Sequence, residues 1–253
     1  MLTLLTVNRW QAAGIHLALS ATIGALVLLA MLLVWYPGAY FAAAGGEGLL
    51  LILLGVDITL GPLLTLVIFN RRKRLNLIRL DLSVIAALQL AALLYGVGTM
   101  FLARPVYLVF VVDVFEVVST PQIDPDELAK AARPFDTLPI TGPRIVGALK
   151  PRDQKEAERI MFLEVGGRSL AEFPQHYVVY SETAQAAAKK SHPLEELRRK
   201  DPSSGRALDG VVRKSGRSED SLRYLPVKAR FADLAAIVTA EGEYVDLIVA
   251  NGW

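Results

Sequence analysis

Asp57 is the one charged residue in the run Gly55 to Phe69, GVDITLGPLLTLVIF. A carboxyl group can serve as a proton relay, a metal ligand or a hydrogen-bonding anchor. Placed inside an apolar helix in a membrane, its ionised form costs at least ~2.5–3.5 kcal/mol, and such groups usually face a bundle interior or a partner. Gly61 and Thr65 follow Asp57 at i+4 and i+8, so a carboxyl, a gap and a hydroxyl share one helix face. Gly61 allows close approach of a neighbouring helix. Pro62 lacks an N–H and frees the carbonyl of Ile58. Two readings of Asp57 stand. It is a protonated carboxyl buried between the chain's own helices, or a polar docking point for the transmembrane helix of a partner. A relay would need more ionisable groups than this segment holds.

The rest of the chain is poor in catalytic groups. It has three histidines and no cysteine, which excludes disulfides, thiol chemistry and Cys-ligated metals. His16 lies near one end of an apolar stretch and reads as an interfacial residue. His192 stands beside Pro193 in a Lys/Glu-rich stretch and reads as exposed, and His176 precedes a possible strand. No H-E-x-x-H, G-x-S-x-G or G-x-x-x-x-G-K-[ST] pattern occurs. Asp113 and Glu116, three apart on a strand-like run, would point to opposite faces and make a poor acid–base pair. No enzymatic activity, cofactor, metal or small-molecule substrate is expected.

The elements that position Asp57 are three long apolar segments. No Asp, Glu, Lys or Arg lies between Arg9 and Glu47, Gly48 to Phe69 holds only Asp57, and Leu82 to Ala103 holds none. Each segment can supply about 22 residues, or ~33 Å of helix, enough to cross a ~30 Å hydrocarbon core. The first reads as a retained anchor, because its apolar stretch exceeds a signal-peptide core and only Arg9 precedes it. The third presents Ile85, Gln89, Ala92 and Gly96 near one face, and Ala92-x-x-x-Gly96 is a small-residue pair. With the second and third helices antiparallel, Gln89 falls about level with Gly61. From there its amide can reach the Ile58 carbonyl or Asp57.

Charge sets the orientation. The loop Asn70 to Asp81 carries Arg71, Arg72, Lys73, Arg74 and Arg79, while the turn from Tyr36 to Glu47 has no Lys or Arg. The positive-inside rule places the basic loop and the N-terminus in the cytoplasm, and residues 104–253 on the far side. Six of the 27 basic and three of the 25 acidic residues precede residue 104, leaving 21 against 22 beyond it. The small excess of +2 therefore belongs to membrane topology, and no nucleic-acid footprint is expected.

The expected architecture is three transmembrane α-helices (1–103) followed by a small α+β periplasmic domain (104–253). Arg104 to Ser119 reads as one long strand. DPDELAKAAR, capped by Asp124, reads as a short helix, and Pro143 to Leu149 as a second strand. RDQKEAERIMFLEV reads as a helix, and Ser181 to Leu197 has helical composition. The Gly/Ser-rich stretch near 200–220 reads as a mobile loop. The last residues read as two strands around Ala240–Glu243, a hairpin.

Several of these stretches together resemble the type IV pilin accessory proteins of the TfpX/TfpZ group. The blocks are YPGAYF with the following GG, GVDITLGPLLTLVIFN, LDLSVIAALQLAALLYG and RPVYLVFVVDVFEVV. Two departures are Val114 after Asp113, where the family has a basic residue, and Gly252-Trp253 in place of Pro-Trp. The resemblance implies a bacterial inner-membrane protein, accessory to a type IV pilin and supporting its stability or assembly. Its contacts would be the pilin and membrane lipid. Asp57, Gly61, Thr65 and Gln89 would form the partner-binding face, with Pro62, Ala92, Gly96, Arg104 and Pro105 in structural roles. The rival expectation is a membrane-anchored periplasmic sensor or regulatory subunit, weakened by a cytoplasmic loop too short to hold an output domain.

Overall fold

The computed structural model describes residues 8–70 and 73–253, those at 49–54 and 56–58 by backbone alone. The chain forms two compact units. One comprises residues up to Leu33 and Gly46–Leu102; the other comprises Val34–Gly45 and Ala103–Trp253. The division expected at residue 103 thus gains an exception, since the turn after the first helix folds with the C-terminal domain.

The first unit is built from helices α1 (Arg9–Val34), α3 (Gly46–Ile68) and α4 (Leu75–Ala103). Helices α1 and α4 are each long and apolar enough to cross a membrane. Their hydrophobicity runs all round, so periodicity alone does not show an inner face. Packing does. Ala13, Gly24 and Met31 of α1, Gly61, Thr65 and Phe69 of α3, and Ile78, Ile85 and Met100 of α4 are buried, while leucines on the other faces stay exposed. Gly61 and Thr65, the i+4 and i+8 positions of the row that starts at Asp57, both face inward. Ala92 and Gly96 are half-buried on the same side of α4 as Ile85. Pro62 lies inside α3 without ending it.

The second unit is a mixed eight-stranded sheet of order β4-β3-β1-β2-β6-β7-β8, with the two-residue β5 (His192–Pro193) beside β6. Strand β1 (Pro105–Val111) is buried along its whole length, which its unbroken apolar run requires of a central strand. It pairs antiparallel with β2 (Val114–Ser119) and parallel with β3 (Arg144–Ala148). Strand β2 pairs parallel with β6 (Leu222–Lys228), which leads antiparallel into β7 (Leu234–Thr239) and β8 (Tyr244–Val249). The short β4 (Tyr177–Val179) closes the other edge. Odd and even positions separate two cores. Tyr107, Val109 and Val111 meet Ile160, Phe173 and Tyr177 on one face. Leu108, Phe110, Phe115, Leu225 and Ala236 line the other. That second face is covered in part by α2 (Tyr40–Ala43), from the turn between the first two long helices.

Several expectations need correction. Arg104 to Ser119 is a hairpin, not one strand: the chain reverses at Val112-Asp113, with Val112 at φ 57. A β-branched residue there is a steric outlier, so no Gly or Asn signature marked the turn. Asp113 consequently lies in the turn, and only Glu116 is on a strand. The helix begun by Asp124, whose side chain accepts from the Asp126 N–H, extends only over Pro125–Leu128 (α5). Helix α6 (Gln154–Val165) is as expected, capped by Asp153. The stretch Ser181 to Leu197 breaks into α7 (Ala184–Lys190) and α8 (Leu194–Lys200), because Pro193 cannot continue a helix. The 200–220 stretch holds α9 (Gly205–Ser215), whose Leu208 and Val211 are buried against α8 and the β6–β8 strands, where a mobile loop was expected. An amphipathic spacing inside a polar composition carried that helix.

Candidate functional site

The polar centre of the first unit joins three helices. His16 Nδ1 lies 2.6 Å from Thr65 Oγ1, and His16 Nε2 lies 2.5 Å from Gln89 Oε1. The amide oxygen of Gln89 can only accept, so Nε2 carries a proton and donates to it; in the neutral imidazole Nδ1 accepts from the Thr65 hydroxyl. Gln89 lies across Gly61 so closely that a Cβ there would overlap its amide. The level estimated from helix rise is therefore correct for Gln89 and Gly61. Thr65 is 1% exposed. His16, read from the sequence as a lone interfacial residue, has partners 49 and 73 residues away, beyond any local pattern. The side chain of Asp57, and its pairing with Gln89 through Ile58 or directly, lie outside the described residues.

Between apolar helices, an interhelical hydrogen bond of this kind is worth about 0.6–2 kcal/mol. Replacing His16 by Phe removes one hydrogen bond from Thr65 and one from Gln89. His16→Phe is expected to lower the stability of the helical unit by about 1–3 kcal/mol. Unfolding titrations in mixed detergent micelles would measure this, and an unchanged midpoint would show the network to be dispensable.

The second unit contains a charged cluster with no counterpart in the sequence reading. Glu127 of α5 is buried, its side chain 8% exposed. It accepts from Arg159 Nη1 (2.9 Å) and Nη2 (3.0 Å), Lys130 Nζ (2.9 Å) and Gln175 Nε2 (2.5 Å). Glu156 accepts from Arg159 Nε (2.8 Å) and Nη2 (2.7 Å), and pairs with His176 Nε2 at 3.2 Å. Burial alone would push the Glu127 carboxyl up, but the hydrogen bonds from Arg159, Lys130 and Gln175 outweigh it and hold the group at about 2. The Arg159 guanidinium brings Glu156 down to about 2 as well, against a smaller push from burial. Arg159 is raised in turn. Each carboxylate is far from the pKa a general acid needs near neutrality. The arrangement instead clamps α5, α6 and the 174–176 turn together. His176 is thereby placed, as is His192, which is exposed and 3.5 Å from Glu196.

The pH dependence follows from sign. A carboxyl held at about 2, below its ordinary 4.5, contributes stability that is complete above 4.5 and lost as pH falls toward 2. For Glu127 the effect is on the order of 2–3 kcal/mol. Glu127→Gln is expected to weaken the domain at pH 7 and to flatten its stability between pH 4.5 and 2. Urea unfolding across that range checks it; a variant as acid-sensitive as the parent would rule the cluster out.

At the start of β1, the buried Arg104 donates from Nε (3.3 Å) and Nη2 (2.8 Å) to the Pro139 carbonyl. Its own carbonyl accepts from the Thr120 N–H at 3.0 Å. Pro105 occupies the first strand position, where a missing donor is tolerated. Tyr36 is fully buried; burial pushes its hydroxyl up to about 12, with Arg104 pulling the other way. The YPGAYF block and the Arg104-Pro105 strand thus belong to one packed region.

No family model matches the chain, and no solved structure matches it. Among curated proteins it is 34% identical over 184 residues to the fimbrial assembly protein of serogroup I of Dichelobacter nodosus, covering 73% of this chain and 72% of that one. The serogroup E1 protein of the same organism is 32% identical over an equal length. The protein of serogroups C1 and C2 is 40% identical over 121 residues, 48% of this chain and 92% of that one. These matches agree with the resemblance carried by the Asp57-to-Thr65 and Arg104-Pro105 blocks, and the chain belongs to the fimbrial assembly protein family of type IV fimbriae.

Proposed function

We propose that this chain is an inner-membrane accessory protein that supports the stability or assembly of a type IV pilin, with a chaperone-like, non-enzymatic role. The observation that carries the reading is the similarity to fimbrial assembly proteins over nearly three quarters of both chains. Helices α1, α3 and α4 each span the bilayer, the N-terminus and the basic α3–α4 loop are cytoplasmic, and the sheet domain is periplasmic. A protein of that layout offers a pilin two kinds of contact, one for an apolar helix and one for a folded head.

Within the bundle, Gly61, Thr65 and Gln89 are engaged with the chain's own helices. The pilin helix is therefore assigned to the turn of α3 that carries Asp57, one turn from Gly61. Photo-crosslinkers placed at 57, 61 and 65 in native membranes test this, with 26 and 29 on α1 for comparison. A pilin adduct from 57, beside internal links to α1 or α4 from 61 and 65, is the expected pattern. A deletion strain with normal pilin levels and unchanged pili would overturn the function. Normal dependence on the protein without any adduct from 57 would move the contact to the periplasmic domain.

A further inference from the structure

The chain passes between the sheet domain and the long helices at three places: Val34, Gly45 and Ala103-Arg104. Two loops of the domain lie against these residues. The loop before β3 holds Arg104 through the Pro139 carbonyl. Its Gly142 sits so close to α1's end that a Cβ would be 3.3 Å from the Val34 carbonyl oxygen and 3.4 Å from the Pro37 ring. The β6–β7 loop places the Phe231 ring over Gly45, where a Cβ would lie 2.9 Å from it. Gly45 takes φ +66 and immediately precedes α3.

Each loop exposes one large apolar side chain, Ile140 at 72% and Phe231 at 61%. The Arg230 guanidinium lies 5.3 Å from the centre of the Phe231 ring. A single exposed apolar residue needs no explanation in a soluble domain. What sets this pair apart is place, because both belong to loops touching the residues where the apolar helices stop. A helix that spans a bilayer ends at the headgroup layer, where aromatic rings and arginines are at home. By contrast Phe162, equally exposed at 72%, is on α6 between Glu158 and Glu164.

We propose that Ile140, Phe231 and Arg230 form a lipid-contact edge of the periplasmic domain. Ile140 and Phe231 enter the headgroup–acyl boundary to a depth of ~5–10 Å at most, and Arg230 meets lipid phosphates. This rests on the spanning reading above. The occupant is the bilayer itself, since both side chains belong to loops that lie against Val34, Gly45 and Arg104, where the chain leaves and enters the apolar helices.

The absence of cysteine makes a clean test possible. Single cysteines at 26, 140, 162, 230 and 231 are labelled with an environment-sensitive fluorophore in the full-length protein. The protein is reconstituted into phosphatidylethanolamine/phosphatidylglycerol vesicles carrying nitroxide lipids. Leu26→Cys, mid-α1, reports whether the helix spans. Arg230→Cys reads the same loop without removing the Phe231 ring. Shallow nitroxides are expected to quench labels at 140, 230 and 231 about threefold more than the label at 162. Deep nitroxides should quench the label at 26. A quenched 26 with 140, 230 and 231 behaving like 162 would overturn the lipid edge and leave the spanning helices standing. An unquenched 26 would overturn the spanning reading, and the edge with it.

Discussion

Residues 104–253 produced without residues 34–45 are expected to lose most of their stability, and to regain it when that segment is supplied. Tyr36 is fully buried, and Tyr40 and Ala43 nearly so, within the second unit. Tyr40 and Ala43 pack with Leu108, Phe110, Phe115 and Leu247. Burial raises both the Tyr40 and the Tyr244 hydroxyl, as expected of aromatic side chains packed into this core. Removing one buried aromatic side chain costs about 3–5 kcal/mol. Two of them approach the ~5–15 kcal/mol that holds a whole domain together. The fragment should show a melting temperature lower by at least ~15 °C, or no cooperative transition. A synthetic 34–45 peptide added in excess should restore the transition, and the same peptide with Tyr40→Ala should not. A fragment that melts cooperatively without the peptide, and unmoved by it, would show that the inter-helix turn is only a connection.

Gly242→Ala is the point substitution with the largest expected cost. Gly242 sits at φ +89 in the β7–β8 turn. A Cβ there would overlap the Ala184 carbonyl oxygen and lie 2.7 Å from its carbon and 3.0 Å from the Ala188 nitrogen. These are backbone atoms of α7 and cannot swing aside. The Tyr180 hydroxyl also donates to the Gly242 carbonyl at 2.6 Å, tying the turn down from another direction. The left-handed conformation costs a non-glycine residue roughly 1–2 kcal/mol. Overpacking adds about 1–3 kcal/mol or more. The variant is expected to lose about 3–5 kcal/mol in urea unfolding of the domain. Gly216→Ala isolates the first effect: Gly216 has φ +66 at the end of α9 but nothing within 4 Å of a Cβ. Its loss should stay near 1–2 kcal/mol. Equal losses for the two variants would mean that the α7 contact carries no energy.

The two substitutions and the fragment mark where local reading stops. Long helices over 9–34, 46–68 and 75–103 are legible because a long apolar run with few charges is a local property of the chain. Strand β3, helix α6 with its Asp153 cap and the β7–β8 hairpin are legible for the same reason: period and turn chemistry act over a few residues. Even the meeting of Gln89 with Gly61 follows from rise per residue once two helices are taken as antiparallel.

Other features depend on residues far apart in the chain. Val112 turns a hairpin against its own steric preference because β1 and β2 pair on either side of it. Helix α9 forms within a Gly/Ser-rich stretch because Leu208 and Val211 find α8, Tyr224 and Ile248. Glu127 stays ionised and buried only because Arg159, 32 residues on, and Gln175, 48 on, arrive at it. His16 reads as a lone interfacial residue until Thr65 and Gln89 flank it. By itself the sequence determined the long apolar helices, strand β3, helix α6 and the β7–β8 hairpin, and the family they resemble. The tertiary structure decided which polar groups find partners, and that the 34–45 turn completes a core begun some 60 residues later. Backbone preference and burial period are written in neighbouring residues; the satisfaction of a buried polar group or a half-filled core is a property of whatever packing brings to it.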